Sequence, residues 1–293
     1  MSRYPSWVNG RFVRSDEPVL SAEDQGFLLG LAVFESLVCE RGAPLFLAQH
    51  LARLESGARA LRLAWPPPYD VEAALGEFCR RVAASDPERP FIVRVTYSRG
   101  TPVAGPTLVV GARDVVPPPP EGVAVVLVPG AKSAGDWLEN VKSTNRVRNV
   151  LAREDAQAVG AWDALLCSDA GDVVEGTICN LFCLTRGRLL TPALERGCLP
   201  GVTRGLLLEE LRGGGLPRGV ESLEEGRVER ADLASADEVF LTNSSGRLIP
   251  VTAVRGCNEH LPGPRGAVWK ALRDRFVTLE ARDLANRALG SGR

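Results

Sequence analysis

The sequence predicts an α+β protein built from two domains, and three observations carry that reading. Four consecutive prolines in "DVVPPPPEGVAVV", beginning at Asp114, form a stiff extended spacer. Ahead of it, strand patterns and amphipathic helices mix in a small unit. Behind it, short strands joined by tight turns outnumber helices, which disfavours a doubly wound sheet of alternating strands and helices. The expected division is a small N-terminal α/β domain over 1–116, a proline-rich linker over 117–122, and a larger strand-rich C-terminal domain over 123–293.

Each element has a local signature. "WVNGRFV" reads as a hairpin about Asn9-Gly10, because both central residues of the favoured two-residue turn need positive φ. "AVFESLVCERGAPLFL" reads as two strands about Arg41-Gly42. "AQHLARLESGARALRL" places Leu51, Leu54, Ala58 and Leu61 at helical spacing and ends near Leu63, before the loop "WPPPYD". "VEAALGEFCRRVAA" is a second amphipathic helix and "PFIVRVTYSRG" an apolar strand. Past the linker, "GVAVVLVP" is a strand. "STNRVRNVLAREDAQAVG" is a helix with Ser143 or Thr144 as N-cap, Val147, Val150 and Leu151 on one face, and Gly160 as the stop. "ALLCSDAGDVVEG" turns at Ala170-Gly171, "NLFCLTRGRLLTP" is another hairpin, "LPGVTRGLLLEELRG" opens a helix, and "DEVFLTNSSGRLIPV" is a strand broken at "NSSG".

Composition narrows the function. The formal net charge of -1 supplies no basic field for nucleic acid. No stretch approaches the roughly 18 apolar residues of a membrane span, and the first residues lack the apolar run of a signal peptide. A cytoplasmic protein is expected. Seven cysteines, odd in number and without a C-x-x-C, read as buried free thiols. Two histidines, His50 and His260, leave little for a zinc site or a Ser-His-Asp triad, so no metal is expected.

Four features could carry chemistry. Only three of the 35 basic residues are lysines (Lys132, Lys142 and Lys270), yet one stands in "VKSTNRVRNVLAR". Arginine keeps its proton and cannot attack a carbonyl; a lysine of lowered pKa can. Glu175 ends an apolar strand, where a carboxylate is costly unless paired with a cation. "LPGVTR" presents the N–H groups of a helix start and the Thr203 hydroxyl to an anion. "LTNSSGR" offers hydroxyls and amides at a strand end. Singly, each has a plainer reading: a solvated lysine, an edge-strand glutamate, a helix cap, a turn. As a set they supply an imine-forming amine, an acid for a ring nitrogen and two phosphate-binding segments, which is what pyridoxal 5'-phosphate requires.

The ordered segments "EDQGFLLGLAVFESL", "HLARL", "KSTNRVRNVLARE", "EGTICNLF", "TPALERGCLPGVTR" and "FLTNSSGRLIPV" resemble the class IV aminotransferase family, the fold-type IV pyridoxal phosphate enzymes. The resemblance implies a two-domain fold, pyridoxal 5'-phosphate as cofactor, a small-molecule amino substrate and a homodimer. It implies that Lys142 carries the cofactor as a Schiff base and moves the substrate's α-proton, that Glu175 pairs with the pyridine nitrogen, and that Arg53, Val202, Thr203 and Ser244 hold the phosphate. Phe34, Ser36, Arg94, Arg99 and Arg146 are expected near the substrate. Within the family, Asn145-Arg146 after the lysine is most similar to 4-amino-4-deoxychorismate lyases, which release pyruvate and leave 4-aminobenzoate for folate biosynthesis. Branched-chain aminotransferases usually show a longer interval ending in Asn-Tyr. "RGTPVAGP" lacks the Arg-x-His of D-amino-acid aminotransferases. Leu31 stands where the family usually has aspartate. An aminotransferase acting on branched-chain or D-amino acids, or a non-catalytic protein on the same scaffold, are the alternatives.

Overall fold

A computed structural model describes residues 4–14 and 16–290. The chain divides into two compact units, Met1–Val116 with Val141–Asn145 and Glu280–Arg293, and Pro117–Asn140 with Arg146–Leu279. The four-proline run thus opens the second unit, while the segment holding Lys142 groups with the first.

The first unit contains β1 (Ser6–Val8), β2 (Arg11–Val13), α1 (Gln25–Leu29), β3 (Ala32–Glu40), β4 (Ala43–Pro44), α2 (Leu47–Ala60), α3 (Val71–Ala83), β5 (Phe91–Thr101) and β6 (Gly105–Asp114). The six strands form one antiparallel sheet in the order β2-β1-β6-β5-β3-β4. The β1–β2 turn has positive φ at both Asn9 and Gly10, as its sequence predicts. Leu37, Val93, Val95, Leu108 and Val110 are fully buried in this sheet. α2 packs on β3, and α3 on β4 and β6, adding Leu54, Leu75 and Phe78 to the core. Alternation on β3 leaves Phe34 and Ser36 half-buried and sends Glu35 into the interior between Val33 and Leu37.

The second unit contains β7 (Val123–Lys132), α4 (Val147–Ala158), β8 (Asp163–Ser168), β9 (Val173–Gly176), β10 (Asn180–Thr185), β11 (Arg188–Pro192), α5 (Val202–Gly214), β12 (Ser222–Gly226), α6 (Arg230–Ala234), β13 (Glu238–Asn243), β14 (Arg247–Arg255) and the part of α7 (Ala267–Gly290) that precedes Glu280. The strand order is β12-β11-β10-β13-β14-β7-β8-β9. One further pairing, Asn180 opposite Glu175, joins β10 to β9 and closes six strands into a ring. Val125, Leu165, Val173, Leu181, Leu241, Ile249 and Val251 fill it. Glu175 therefore sits at the seam of the ring, at the end of a strand whose four residues are all buried.

α4 departs from its sequence reading at its start. Its N-cap is Arg146, without a side-chain cap. Ser143 and Thr144 lie outside the helix because their backbone is engaged in strand pairing: Ser143 bridges Val33, and Thr144 N donates to Ala32 O at 3.0 Å. The face holding Val147, Val150 and Leu151 is exposed, whereas Asn149, Ala152 and Ala156 are buried. Alanines on the inner face let the helix approach β8, where Ala164 and Leu166 complete a small cluster.

Candidate active site

The first unit brings Lys142, Phe34 and Arg94 together. Phe34 N donates to Lys142 O at 2.9 Å, so β3 fixes the backbone on which the lysine rides. Lys142 Nζ lies 4.7 Å and Arg94 Cζ 3.7 Å from the Phe34 ring centroid, both within cation–π range. Ser36 lies opposite Arg94 across the β3–β5 ladder. Asn145 Nδ2 donates to Gly30 O at 3.1 Å. Arg99 Nη2 donates to Leu61 O at 3.0 Å, past the last turn of α2.

Beneath this group lies a buried ion cluster. Arg53 Nε and Nη2 each meet a different oxygen of Glu35 at 2.7 Å, a bidentate pair. His50 Nδ1 lies 2.7 Å from Glu35 Oε2. Burial would raise the Glu35 pKa, but the Arg53 guanidinium and the His50 bond outweigh it and hold the carboxyl at about 2. His50 is lowered, first by burial and further by the charges of Arg53 and Lys142, against the opposing pull of Glu35. His50 is therefore the neutral member of a network whose charged pair is Glu35–Arg53. Two of the five guanidinium donors of Arg53 are spent on Glu35.

The second unit holds Glu175, Val202, Thr203, Ser244 and Arg146. Glu175 Oε1 pairs with Lys132 Nζ at 2.7 Å. Its Oε2 accepts from Leu199 N at 2.9 Å and from Asn180 Nδ2 at 3.3 Å. Asn180 Nδ2 also donates to Leu199 O at 2.8 Å, so one amide ties the strand end to the approach to α5. Lys132 meets Glu139 Oε2 at 2.6 Å as well. Burial opposes the Lys132 charge, but Glu175 and Glu139 together raise its pKa above the ordinary lysine value. α5 begins at Gly201 with no side-chain cap, so the N–H groups of its first turn lack intrahelical acceptors. Thr203 is buried in that turn. Asn243 Oδ1 accepts from Gly246 N at 2.6 Å, shaping the loop that contains Ser244. Arg146 is the half-buried cap of α4.

These donor sets fit pyridoxal phosphate. A carboxylate has about four acceptor positions; Glu175 uses three, leaving one for an N–H such as a protonated pyridine nitrogen. The open first turn of α5 suits a phosphate. Thr242 Oγ1, buried at the end of β13 without a hydrogen-bond partner, is one more polar atom suited to a ligand. Among the described residues no His, Cys, Asp and Glu cluster could hold a metal ion, and no helix is long and apolar enough to cross a membrane.

Residues 32–254 match the family described as amino-transferase class IV. The chain belongs to that family. It is 28% identical to a Methanocaldococcus jannaschii protein provisionally named as a branched-chain-amino-acid aminotransferase, over 94% of this chain and 96% of that one. It is also 28% identical to the aminodeoxychorismate lyase of Bacillus subtilis, over 86% of this chain and 87% of that one. A hypothetical aminotransferase from Mycobacterium tuberculosis, solved in its pyridoxal-phosphate-bound form, superposes with a TM-score of 0.84 at 25% identity, over 95% of this chain and 99% of that one. The family resemblance and the two-domain α+β fold expected from the sequence are borne out.

Glu35 and His50 lie inside the family segments "AVFESL" and "HLARL" without an expected role, and Lys132 and Glu139 lie outside every such segment. Glu35 had a signal, a carboxylate at an inward position of an apolar strand. Lys132 had another, as one of three lysines in an arginine-rich chain, at the end of a strand.

Proposed function

We propose that this protein is a pyridoxal-5'-phosphate-dependent lyase that releases pyruvate from 4-amino-4-deoxychorismate and leaves 4-aminobenzoate. When bound, the cofactor supplies an electron-withdrawing ring that accepts the charge left by bond breaking at the substrate carbon bearing the amine. Lys142 Nζ, as the free amine, is the atom that takes a proton from that carbon and returns one. Glu175 accepts the ring N–H. The Val202 and Thr203 amides and the Thr203 hydroxyl bind phosphate, with Ser244 and Arg53 adding to that end. Phe34, Ser36, Arg94, Arg99 and Arg146 contact or orient substrate.

The observation that carries the lyase reading is Asn145-Arg146 directly after the Lys142 segment, with Asn145 held on Gly30 O. A second reading, amino-group transfer from branched-chain amino acids, is favoured by the near full-length similarity to the Methanocaldococcus protein. The test supplies aminodeoxychorismate without any keto acid. Pyruvate and 4-aminobenzoate in equal amounts support the lyase. Turnover only when an amino acid and a keto acid are both supplied overturns it in favour of the aminotransferase. We further infer a homodimer, because each unit exposes apolar side chains that a second copy would cover.

A further inference from the structure

Lys132 stands outside every motif used above, yet it is the most enclosed cation near Glu175. Its side chain is 1% exposed, and its ammonium meets Glu139 at 2.6 Å and Glu175 at 2.7 Å. Two carboxylates within reach of one ammonium are close neighbours themselves. Without a cation between them, like charge forces such a pair to share a proton. Arg148 also reaches Glu139, at 3.2 Å, but it is largely exposed and contacts the oxygen that Lys132 does not. Among the described residues, Cys179 and Cys198 also lie within electrostatic reach of Glu175. Burial raises both thiols, Cys198 to about 12, so neither supplies charge at neutral pH.

We propose that Lys132 is a positioning residue for the cofactor site: as the shared counter-ion of Glu139 and Glu175, it frees Glu175 from proton sharing so that the carboxylate can accept the N–H of the pyridine ring. The inference rests on the reading of Glu175 as the ring-nitrogen partner. Lysine suits the position because a compact ammonium with three rotatable donors can serve two carboxylates from different elements. Glu139 lies in the short helical turn Trp137–Asn140 and Glu175 on β9.

The test uses pyridoxal phosphate labelled with 15N at the ring nitrogen, bound to the full chain and followed by NMR from pH 6 to pH 9. The wild type is expected to keep a protonated ring nitrogen throughout. K132M should lose that signal over part of the range and bind cofactor roughly tenfold more weakly. K132R, which keeps the charge, should retain most of the protonated signal. K132M/E139Q should restore it, because one of the competing carboxylates has been removed. That double variant is charge-balanced and serves if K132M alone does not fold. A K132M protein whose ring nitrogen titrates like the wild type overturns the inference, as does a double variant that fails to recover. A wild type that takes up the cofactor without a protonated ring nitrogen removes the reading of Glu175 instead, and the inference with it.

Discussion

At the scale of single residues, two substitutions separate chemistry from support. Lys142→Arg keeps a cation near the Phe34 ring but cannot attack a carbonyl carbon. It should fold with an unchanged circular dichroism spectrum, show no borohydride-trappable link to added pyridoxal phosphate, and turn over at less than roughly one thousandth of the wild-type rate. Near-normal turnover would remove Lys142 from the mechanism. Glu35→Gln addresses the support. It leaves Arg53 buried against a neutral amide, and breaking a buried pair costs about 3–5 kcal/mol. The pH dependence follows from the same cluster. Glu35 is held near 2 against a usual 4.5, so its contribution is complete above about 4.5 and is lost as pH falls toward 2. His50 is lowered from 6.5, so the unfolded chain takes up a proton before the folded one, and stability declines as pH drops through that value. Melting temperatures from pH 8 to pH 3 should fall in both windows for the wild type. The Glu35 variant should start lower and be flatter below pH 4.5; an equal slope there would refute this assignment.

At the scale of elements, the segment carrying Lys142 is placed by its neighbours. Gly30 has φ +68 and closes α1, and a Cβ there would collide with the Asn145 amide. Asp24 fixes the same turn, accepting from Gly26 N at 2.7 Å, Ser98 Oγ at 2.8 Å and Thr107 Oγ1 at 2.9 Å. Gly30→Ala should cost about 1–2 kcal/mol in backbone strain and should weaken cofactor binding by pushing Asn145, and the lysine three residues before it, off β3. Adding Asn145→Ala removes the collision and should recover part of the cofactor affinity measured by equilibrium dialysis. No recovery would mean that Gly30 acts through the backbone alone. The turns of this protein were legible in the sequence because tight hairpins demand particular residues, as Asn9-Gly10, Arg41-Gly42 and Arg186-Gly187 illustrate. Elements without such demands were not: α1 is five residues with none buried, and β12 is a polar strand paired parallel at the sheet edge. Val147, Val150 and Leu151 share one face of α4, as expected, while close packing on β8 selects alanine for the buried face. Lys142 and Glu175 were legible as local motifs. The clusters Glu35–His50–Arg53 and Lys132–Glu139–Glu175 are made by folding and have no contiguous signature.

At the scale of the whole molecule, the apolar surface bears on assembly. In the first unit, three consecutive residues of α1 are largely exposed: Phe27 at 73%, Leu28 at 57% and Leu29 at 65%. In the second, Val147, Val150 and Leu151 on α4 and Ile178 beyond β9 are at least half exposed. Scattered exposed hydrophobes are ordinary, but runs of three on one short helix are not. With a net charge of only -1, long-range repulsion between copies is weak. Burying a leucine contributes about 1.5–3 kcal/mol, so replacing Leu28 and Leu29 with glutamate should weaken self-association by about a thousandfold or more. Light scattering coupled to size exclusion at micromolar concentration should give twice the chain mass for the wild type and a single chain for L28E/L29E. Val103, exposed at 95% in the β5–β6 turn and far in sequence from the other exposed large hydrophobic residues, is the control. V103E should leave the mass at two chains, because a lone exposed valine offers little area to a partner. A wild type that elutes as one chain would leave the α1 triplet without a covering surface and would end the homodimer reading. If V103E dissociated the dimer as fully as L28E/L29E, added charge and not loss of the α1 contact would be the cause.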